Sequence, residues 1–372
     1  MNIALRTGAL ATATALTLAL AACTPSNEVQ DDPTNGTTPA GAVEVELSGS
    51  LNGAGASSQE SAMEAWRAGF QSLNPDVTVN YDPVGSGGGR TQFLDGATSF
   101  AGSDSLMKED EYALAVDRCE GDLGAIHLPT YISPIAVIFN LEGIDSIDMD
   151  ADTIADIFNA NITMWNDPAI AAQNEGVELP ATAITIVHRA DESGTTSNFT
   201  DYLAKASSNW GHEASGDWAG AAGESGPGTS AVVQIVQDNV GAIGYADASR
   251  AGDLGTVALK VGDEYVPFSA AAAAAVVDAS PLAEGANGEN DLAYKLDRTT
   301  TASGAYPLVL VSYHIVCQQY EDEKERALVT SFLKYVASAE GQAQSASAAG
   351  SSPISAELSA RITAILDEIA AA

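Results

Sequence analysis

Short runs of β-branched and apolar residues alternate along this chain with segments whose apolar positions recur every three or four residues, and glycine- or serine-rich turns join the two. Val43-Glu-Val-Glu-Leu47 alternates apolar and acidic positions, as a strand with one buried face does. It runs into Gly53-Ala-Gly-Ala-Ser-Ser58. A helix follows with Met63, Trp66 and Phe70 on one face, and Ser57 and Glu60 have the spacing of a capping box. The unit repeats: a strand over 77–81, the turn Gly85-Ser-Gly-Gly-Gly89, then a helix from Arg90. A third short strand near 99–102 delivers Ser103 and Asp104 ahead of a helix over 108–116. Ser133–Asn140 and Tyr306–Cys317 lack polar alternation, as strands covered on both faces do. Between them the pattern predicts helices over 151–158 and 168–173 and a strand over 183–188 that ends at Arg189. A helix from Ser197, a glycine-rich loop over 220–228, a helix over 230–238 and a strand over 241–245 follow. Helices over 321–339 and 354–370 close the chain.

Alternating strands and helices predict an α/β fold with mixed, mainly parallel sheets. At 372 residues the chain exceeds one typical core. The two long apolar strands bracket its middle, so residues 43–132 and 310–372 are expected to form one domain and 133–309 a second. Ligands of open α/β sheets sit at the carboxyl ends of strands, which predicts a cleft between the two domains. Residues 1–22 hold one cation, Arg6, and an apolar run from Ala9 to Ala22, the layout of a secretion signal. Leu20-Ala-Ala-Cys23 resembles a bacterial lipobox, which predicts lipidation at Cys23 and an anchored, extracytoplasmic protein. Residues 23–42, nearly without apolar side chains, read as a tether reaching on the order of 25 Å.

Lys+Arg 15 against Asp+Glu 50 gives a net charge of -35, which excludes nucleic acid as a partner and opposes direct docking on anionic lipid. It does not exclude a small anion. Exposed charges are screened beyond about 8 Å at physiological salt, whereas donors inside a cleft act at contact distance. In an oxidising compartment the pair left after Cys23, Cys119 and Cys317, is expected to form a disulfide in preference to two buried free thiols.

Donors for an anion gather at predicted helix starts. Arg189-Ala-Asp-Glu-Ser-Gly-Thr-Thr196 sets a cation, hydroxyls and a glycine amide where a strand turns into a helix, and free N–H groups there favour negative charge. Ser57, Ser86, Ser193 and Thr195, the amides of Ser58 and Gly194, and Arg189 are the candidate donors. Asp104 is the exception. An ionised carboxylate beside an anion is tolerable only if the ligand brings a proton, so it selects hydrogen phosphate over sulfate. Taken singly, the serines read as helix caps, Asp104 as a cap of the helix after it, and Arg189 with Asp191 as a surface pair.

In order and context, Gly53-Ala-Gly-Ala-Ser57, Gly85-Ser-Gly-Gly-Gly89, Ala101-Gly-Ser-Asp104 and Arg189 to Thr195 resemble the phosphate-contacting loops of the substrate-binding proteins of bacterial phosphate ABC transporters. Asn161-Ile-Thr-Met-Trp165 through Pro168, and Gly241 to Tyr245, match further landmarks of that family. The resemblance implies a two-domain type II periplasmic-binding-protein fold and phosphate contacts at Ser57, Ser58, Ser86, Asp104, Arg189, Ser193, Gly194 and Thr195. It also implies that Asp191 steadies Arg189, and that the partners are the permease and ATPase subunits of an importer, with no cofactor and no metal. Ser57 stands where the family often has threonine, Ser58 where an aromatic often follows, and Glu192 where glycine is common; Glu192 would weaken binding if it pointed inward. The alternatives are a secreted phosphatase-like enzyme on this fold or a receptor for sulfate or molybdate. Against an enzyme, His127, His188, His212 and His314 sit in no hydrolase pattern, and no nucleophile elbow, phosphate loop or metal-ligand spacing appears.

Overall fold

A computed structural model describes residues 47–283 and 287–372. Its first strand, β1 (Gly49–Gly55), leads through a 3-10 turn (Ser57–Gln59) into α1 (Glu60–Leu73). β2 (Val77–Asp82), α2 (Ser86–Leu94), β3 (Phe100–Ser103) and α3 (Glu109–Arg118) follow. β1 lies between β2 and β3 and runs parallel to both, with Ala54 opposite Asp82 on one side and Gly55 opposite Gly102 on the other. The carboxyl ends of these strands therefore converge, and the turns carrying Ser57, Ser86 and Asp104 meet there.

β4 (Ala125–Phe139) is buried at every position; it begins at Ala125 and not at the expected Ser133, since His127 and Thr130 break the apolar run of its first half and hide it from the pattern. After it come β5 (Ser146–Met149), α4 (Ala151–Phe158), α5 (Pro168–Ala171), β6 (Thr185–Arg189), α6 (Gly194–Ala206), β7 (Glu224–Gly226), α7 (Gly228–Asp238) and β8 (Ala242–Asp247). β9 (Gly255–Val261), β10 (Glu264–Val266), α8 (Ala270–Ala279), β11 (Leu282–Ala283) and β12 (Ala293–Tyr294) precede the second buried strand, β13 (Val309–Cys317). α9 (Glu323–Ala337), α10 (Ala339–Ala349) and α11 (Ala356–Ala371) end the chain.

The main sheet runs β2-β1-β3-β13-β4-β8-β6-β7, with β5 and β10 attached through β9. It is mixed. Pairing is parallel around β1 and β6, and antiparallel where β13 and β4 join the two regions. Along β4, residues from Ala125 to Pro134 pair with β13, and from Ile135 onward the strand pairs with β8. The terminal helices return to the first strands: Trp66 of α1 is fully buried and donates its indole N–H to the carbonyl of Gly341 in α10 at 2.8 Å.

Several expectations shift. The strand expected over 43–47 lies outside the described residues except for Leu47, which is in no strand. Gly53 to Gly55, expected in a turn, belong to β1; at Gly53 a side chain would start 2.2 Å from the Phe100 ring, so glycine lets β1 and β3 pair with that ring between them. The expected loop over 220–228 contains β7, and the helix over 321–339 breaks at Ser338, whose hydroxyl caps α10 through the Gly341 N–H. Cys23 and the tether lie outside the described residues. Among the described residues no helix is long and apolar enough to cross a membrane.

Cys119, at the end of α3, and Cys317, at the end of β13, form a disulfide across 198 residues, as the compartment argument predicts. Closing a loop of that size removes unfolded-chain entropy worth on the order of 5 kcal/mol. Replacing both cysteines by alanine should lower the guanidinium unfolding midpoint substantially, and alkylation of the unreduced protein should label neither. Ready labelling of either thiol before reduction would refute the bridge.

Candidate anion site

Most helices of this fold cap their own first turn. Asp150, Asp167, Ser193, Ser269, Asp322, Ser338 and Ser355 each accept a backbone N–H at the start of α4, α5, α6, α8, α9, α10 and α11. The 3-10 turn before α1, α2 and α7 have no side-chain cap. N–H groups at two of these starts turn to other segments instead, Thr229 to Ser57 and Gly228 to Asp191 at α7 and Gly87 to the Glu192 carbonyl at α2, and so the positive ends of these helix dipoles gather at one place in the fold.

Neither Ser57 nor Ser86 is a cap. Each is the first residue inside its turn, after Ala56 and Gly85, and so its hydroxyl points away from its own helix start. The expected capping box of Ser57 with Glu60 is absent for this reason. Ser57 Oγ instead accepts the N–H of Thr229 at 3.0 Å and lies 2.9 Å from the Thr229 hydroxyl, while Glu60 pairs with Arg250 at 3.1 Å and accepts from Ser230. Ser86 Oγ accepts the Asp104 N–H at 3.1 Å. Ser193 does cap α6, through the Thr196 N–H at 3.1 Å.

Asp104 is 4% exposed and is the hub of the cluster. Its Oδ1 accepts the hydroxyls of Ser58 at 2.6 Å and Ser312 at 2.5 Å, and its Oδ2 accepts Thr195 at 3.0 Å. Burial raises its carboxyl above the ordinary value, while the three hydroxyls and the nearby Arg189 guanidinium pull it back down. Gly194 packs directly on this group. A side chain there would begin 2.5 Å from Ser86 Oγ and 2.6 Å from Asp104 Cβ, so only glycine lets α6 approach so closely with its first amide exposed to the cluster.

Arg189, at the end of β6, is almost fully buried. Asp191 grips its Nε at 2.8 Å and its Nη2, and is itself fixed by the Gly228 N–H at 3.0 Å. Nη1 has no hydrogen-bond partner among the described residues, so that edge of the guanidinium is free to bind an oxyanion. Glu192 does not add free negative charge. Arg90 Nη2 donates to both of its oxygens at 3.1 Å, and the same buried guanidinium holds Glu111, Ser103 and Ser105. With every N–H of Arg90 partnered, removing Glu192 would leave two of them unmet and Glu111 as the remaining carboxylate, a destabilising change.

All eight candidate contact residues thus fall at the converging strand ends, and Asp191 lies behind Arg189. Gln59, Thr229, Asn198 and Ser312 are further members that the motifs do not reveal. Asn198 donates to the carbonyls of Asp104 and Gly194 and so ties β3 to α6. The signal for Thr229 is Gly228-Thr229 at a helix start, the same pair as Gly194-Thr195. For Ser312 it is a lone small hydroxyl in an apolar strand.

The chain matches the family described as a PBP superfamily domain over residues 30–340. It is 37% identical over 294 residues to the phosphate-binding protein PstS 3 of Mycobacterium leprae (strain TN), across 76% of this chain and 78% of that protein. To the phosphate-binding protein PstS 2 of Mycobacterium tuberculosis (strain ATCC 25618 / H37Rv) it is 34% identical over 330 residues, 86% of each. Among solved structures it is similar to a high-affinity periplasmic phosphate-binding protein (PfluDING) bound with phosphate, with a TM-score of 0.68 and 19% identity over 85% of this chain and 93% of that one. A phosphate-binding protein from Stenotrophomonas maltophilia gives 0.64 and 18% identity over 85% and 94%. At such identities these two structures speak for the fold alone.

A second buried carboxylate sits nearby. Asp247, at the end of β8, accepts from the Tyr131 hydroxyl at 3.1 Å and the Ser249 N–H at 3.0 Å, while its Oδ2 has no partner among the described residues. Burial, opposed by the neighbouring polar groups of Ser249 and Ser133 and reinforced by Asp104, pushes its carboxyl up to about 6. An unfolded aspartate ionises near 3.9, so the folded form takes up the proton first. This group therefore stabilises the fold at low pH and loses that contribution as pH rises through about 6. Melting temperatures of ligand-free wild type and Asp247→Asn should diverge in favour of the asparagine variant as pH rises from about 4 to about 6, and hold a constant gap above that. A difference independent of pH would refute the assignment.

Proposed function

The chain belongs to the PBP superfamily, among phosphate-binding proteins of the PstS kind, and on that premise we propose that it captures inorganic phosphate in the cluster around Asp104 and hands it to an ABC importer. Ser57, Ser86, Ser193, Thr195 and Arg189, with the amides of Ser58 and Gly194, are the donors to the ion. The observation that carries this reading is Asp104, a buried carboxylate set among donors. A carboxylate has about four lone-pair positions; three are taken by hydroxyls, and one remains on Oδ2. Hydrogen phosphate fills it with its own proton. Sulfate and molybdate, dianions without a proton at neutral pH, would face it lone pair to lone pair, so the same residue speaks against receptors for those ions.

Charge-assisted hydrogen bonds contribute about 1.5–3 kcal/mol each, and a micromolar complex needs about 8.2 kcal/mol. The donors exceed that, with the excess absorbed by dehydrating the ion and closing the cleft. In this reading residues 43–132 with 310–372 form one lobe and 133–309 the other. β4 and β13 are the hinge, and the ion pairs Arg90–Glu192 and Arg250–Glu60 are made as the lobes close. Capture without chemistry fits: the protein is a binding protein and not an enzyme. Cys23 and the tether after it support a bacterial, lipid-anchored location outside the cytoplasm, with the permease and ATPase subunits as partners.

Two substitutions test the site by calorimetry on phosphate-stripped protein. Arg189→Ala should weaken phosphate about tenfold to a hundredfold, the loss of one charge-assisted contact; unchanged affinity would remove Arg189 from the site. Asp104→Asn should narrow the gap between phosphate and sulfate, because an amide can donate where the carboxylate cannot. A variant as selective as wild type would defeat the argument from the ligand's proton.

A further inference from the structure

One donor to Asp104 comes from a strand far along the chain. Ser312 in β13 is fully buried, and its Oγ lies 2.5 Å from Asp104 Oδ1 across 208 positions of sequence. The β13–β4 register shifts between Ser312 and Tyr313, an irregularity of the kind that re-aims a side chain. The direction of the hydrogen bond is fixed by its neighbours. Gln59 Nε2 lies 2.6 Å from Ser312 Oγ and 3.4 Å from the Tyr313 carbonyl, which can only accept, so the amide nitrogen faces Ser312 and donates to it. Ser312 is left with its single proton for Asp104.

We propose that Ser312 is a specificity-determining positioning residue. With Ser58 it saturates Oδ1 and holds Asp104 ionised, so the carboxylate offers a bound oxyanion one acceptor position, on Oδ2 beside Ser86 and Gly194. The inference rests on the phosphate reading above and deepens it. Ser312 touches no ligand; it acts through the charge state of Asp104. The other titratable and charged groups facing Asp104 are few. Arg189 from β6 attracts the ionised form, Asp247 from β8 repels it, and Tyr81 from β2 is itself kept neutral by burial and by Asp104, Asp82 and Glu60. Arg90 acts from behind through Ser103 and Ser105. Without Ser312, burial meets less opposition, and Asp104 takes up a proton at higher pH. A protonated Asp104 is a donor. It then donates to a sulfate oxygen as readily as to a phosphate oxygen, and the discrimination disappears.

The test is a calorimetric titration of phosphate-stripped wild type, Ser312→Ala and Ser312→Cys with inorganic phosphate and with sulfate across a range of pH. In wild type the preference for phosphate falls as pH drops through the protonation of Asp104. In Ser312→Ala that fall should occur about one pH unit higher, the tenfold change in proton affinity that goes with losing one such hydrogen bond. Ser312→Cys keeps the shape but has a weaker donor and should move the fall in the same direction by less, which preserves the test if the alanine variant folds poorly. A selectivity curve in either variant that is only scaled, with its midpoint where wild type has it, would make Ser312 merely structural and overturn the inference. Wild type that binds no phosphate would be a separate result: it would overturn the functional reading, and the inference with it.

Discussion

A carboxylate can be buried only where the protein supplies donors to replace water, and Asp104 draws its donors from three segments that sequence holds apart. Ser58 follows β1, Thr195 opens α6, Ser312 belongs to β13, and Asn198 secures the Asp104 backbone. No one of these contacts forms unless the strands carrying them are already in register. The cluster is thus a consequence of the sheet, and the sheet's central pairing of β13 with β4 has Ser312 at its one irregularity. A packing requirement and a recognition requirement fall on the same atoms.

The same economy governs the cations. A chain with net charge -35 places two of its few arginines, Arg90 and Arg189, almost wholly inside the protein at the cluster, each committed to carboxylates that fix its plane. Asp191 fixes two N–H groups of Arg189 so that the remaining edge is presented without a rotamer search. Glu192, an unfavourable neighbour in one dimension, is neutralised in three by Arg90. Local charge at the cluster is set by these pairings, and the acidic surface has little influence on it because its field is screened within about 8 Å.

Much of this was legible along the chain, and the physical reason differs from part to part. The turns with Ser57, Ser86, Asp104 and Arg189 are legible because helix starts, glycine and small hydroxyls are local signals whose chemistry does not depend on what lies opposite. β13 and the second half of β4 are legible because burial on both faces leaves an unmistakable apolar run, whereas His127 and Thr130, buried but polar, hide the first half of β4. Between residues 248 and 305 the pattern predicts no element, yet β9, β10 and α8 lie there. β9 and β10 are short and flank a Gly262-Asp263 turn, and the all-alanine start of α8 has no amphipathic period to detect. Gln59, Thr229 and Ser312 are harder to place for a different reason: whatever local signal they carry, their roles come from partners 253, 172 and 208 positions away. The capping box at Ser57 fails because a 3-10 turn begins one residue earlier than the helical period suggests.

The strand order carries a further consequence, for how the chain reaches its folded state. β13 is inserted between β3 and β4, so the early strands have their final neighbours only when residues near the far end of the chain arrive. A chain emerging amino end first exposes a bare edge on β3 and another on β4 for most of its length, and bare edges recruit other chains. Pairing across such sequence distances is also slow. Any route that keeps the chain extended until its far end is available suits this topology, since an extended chain has no half-built sheet to aggregate, and the gap closes in one step once β13 arrives.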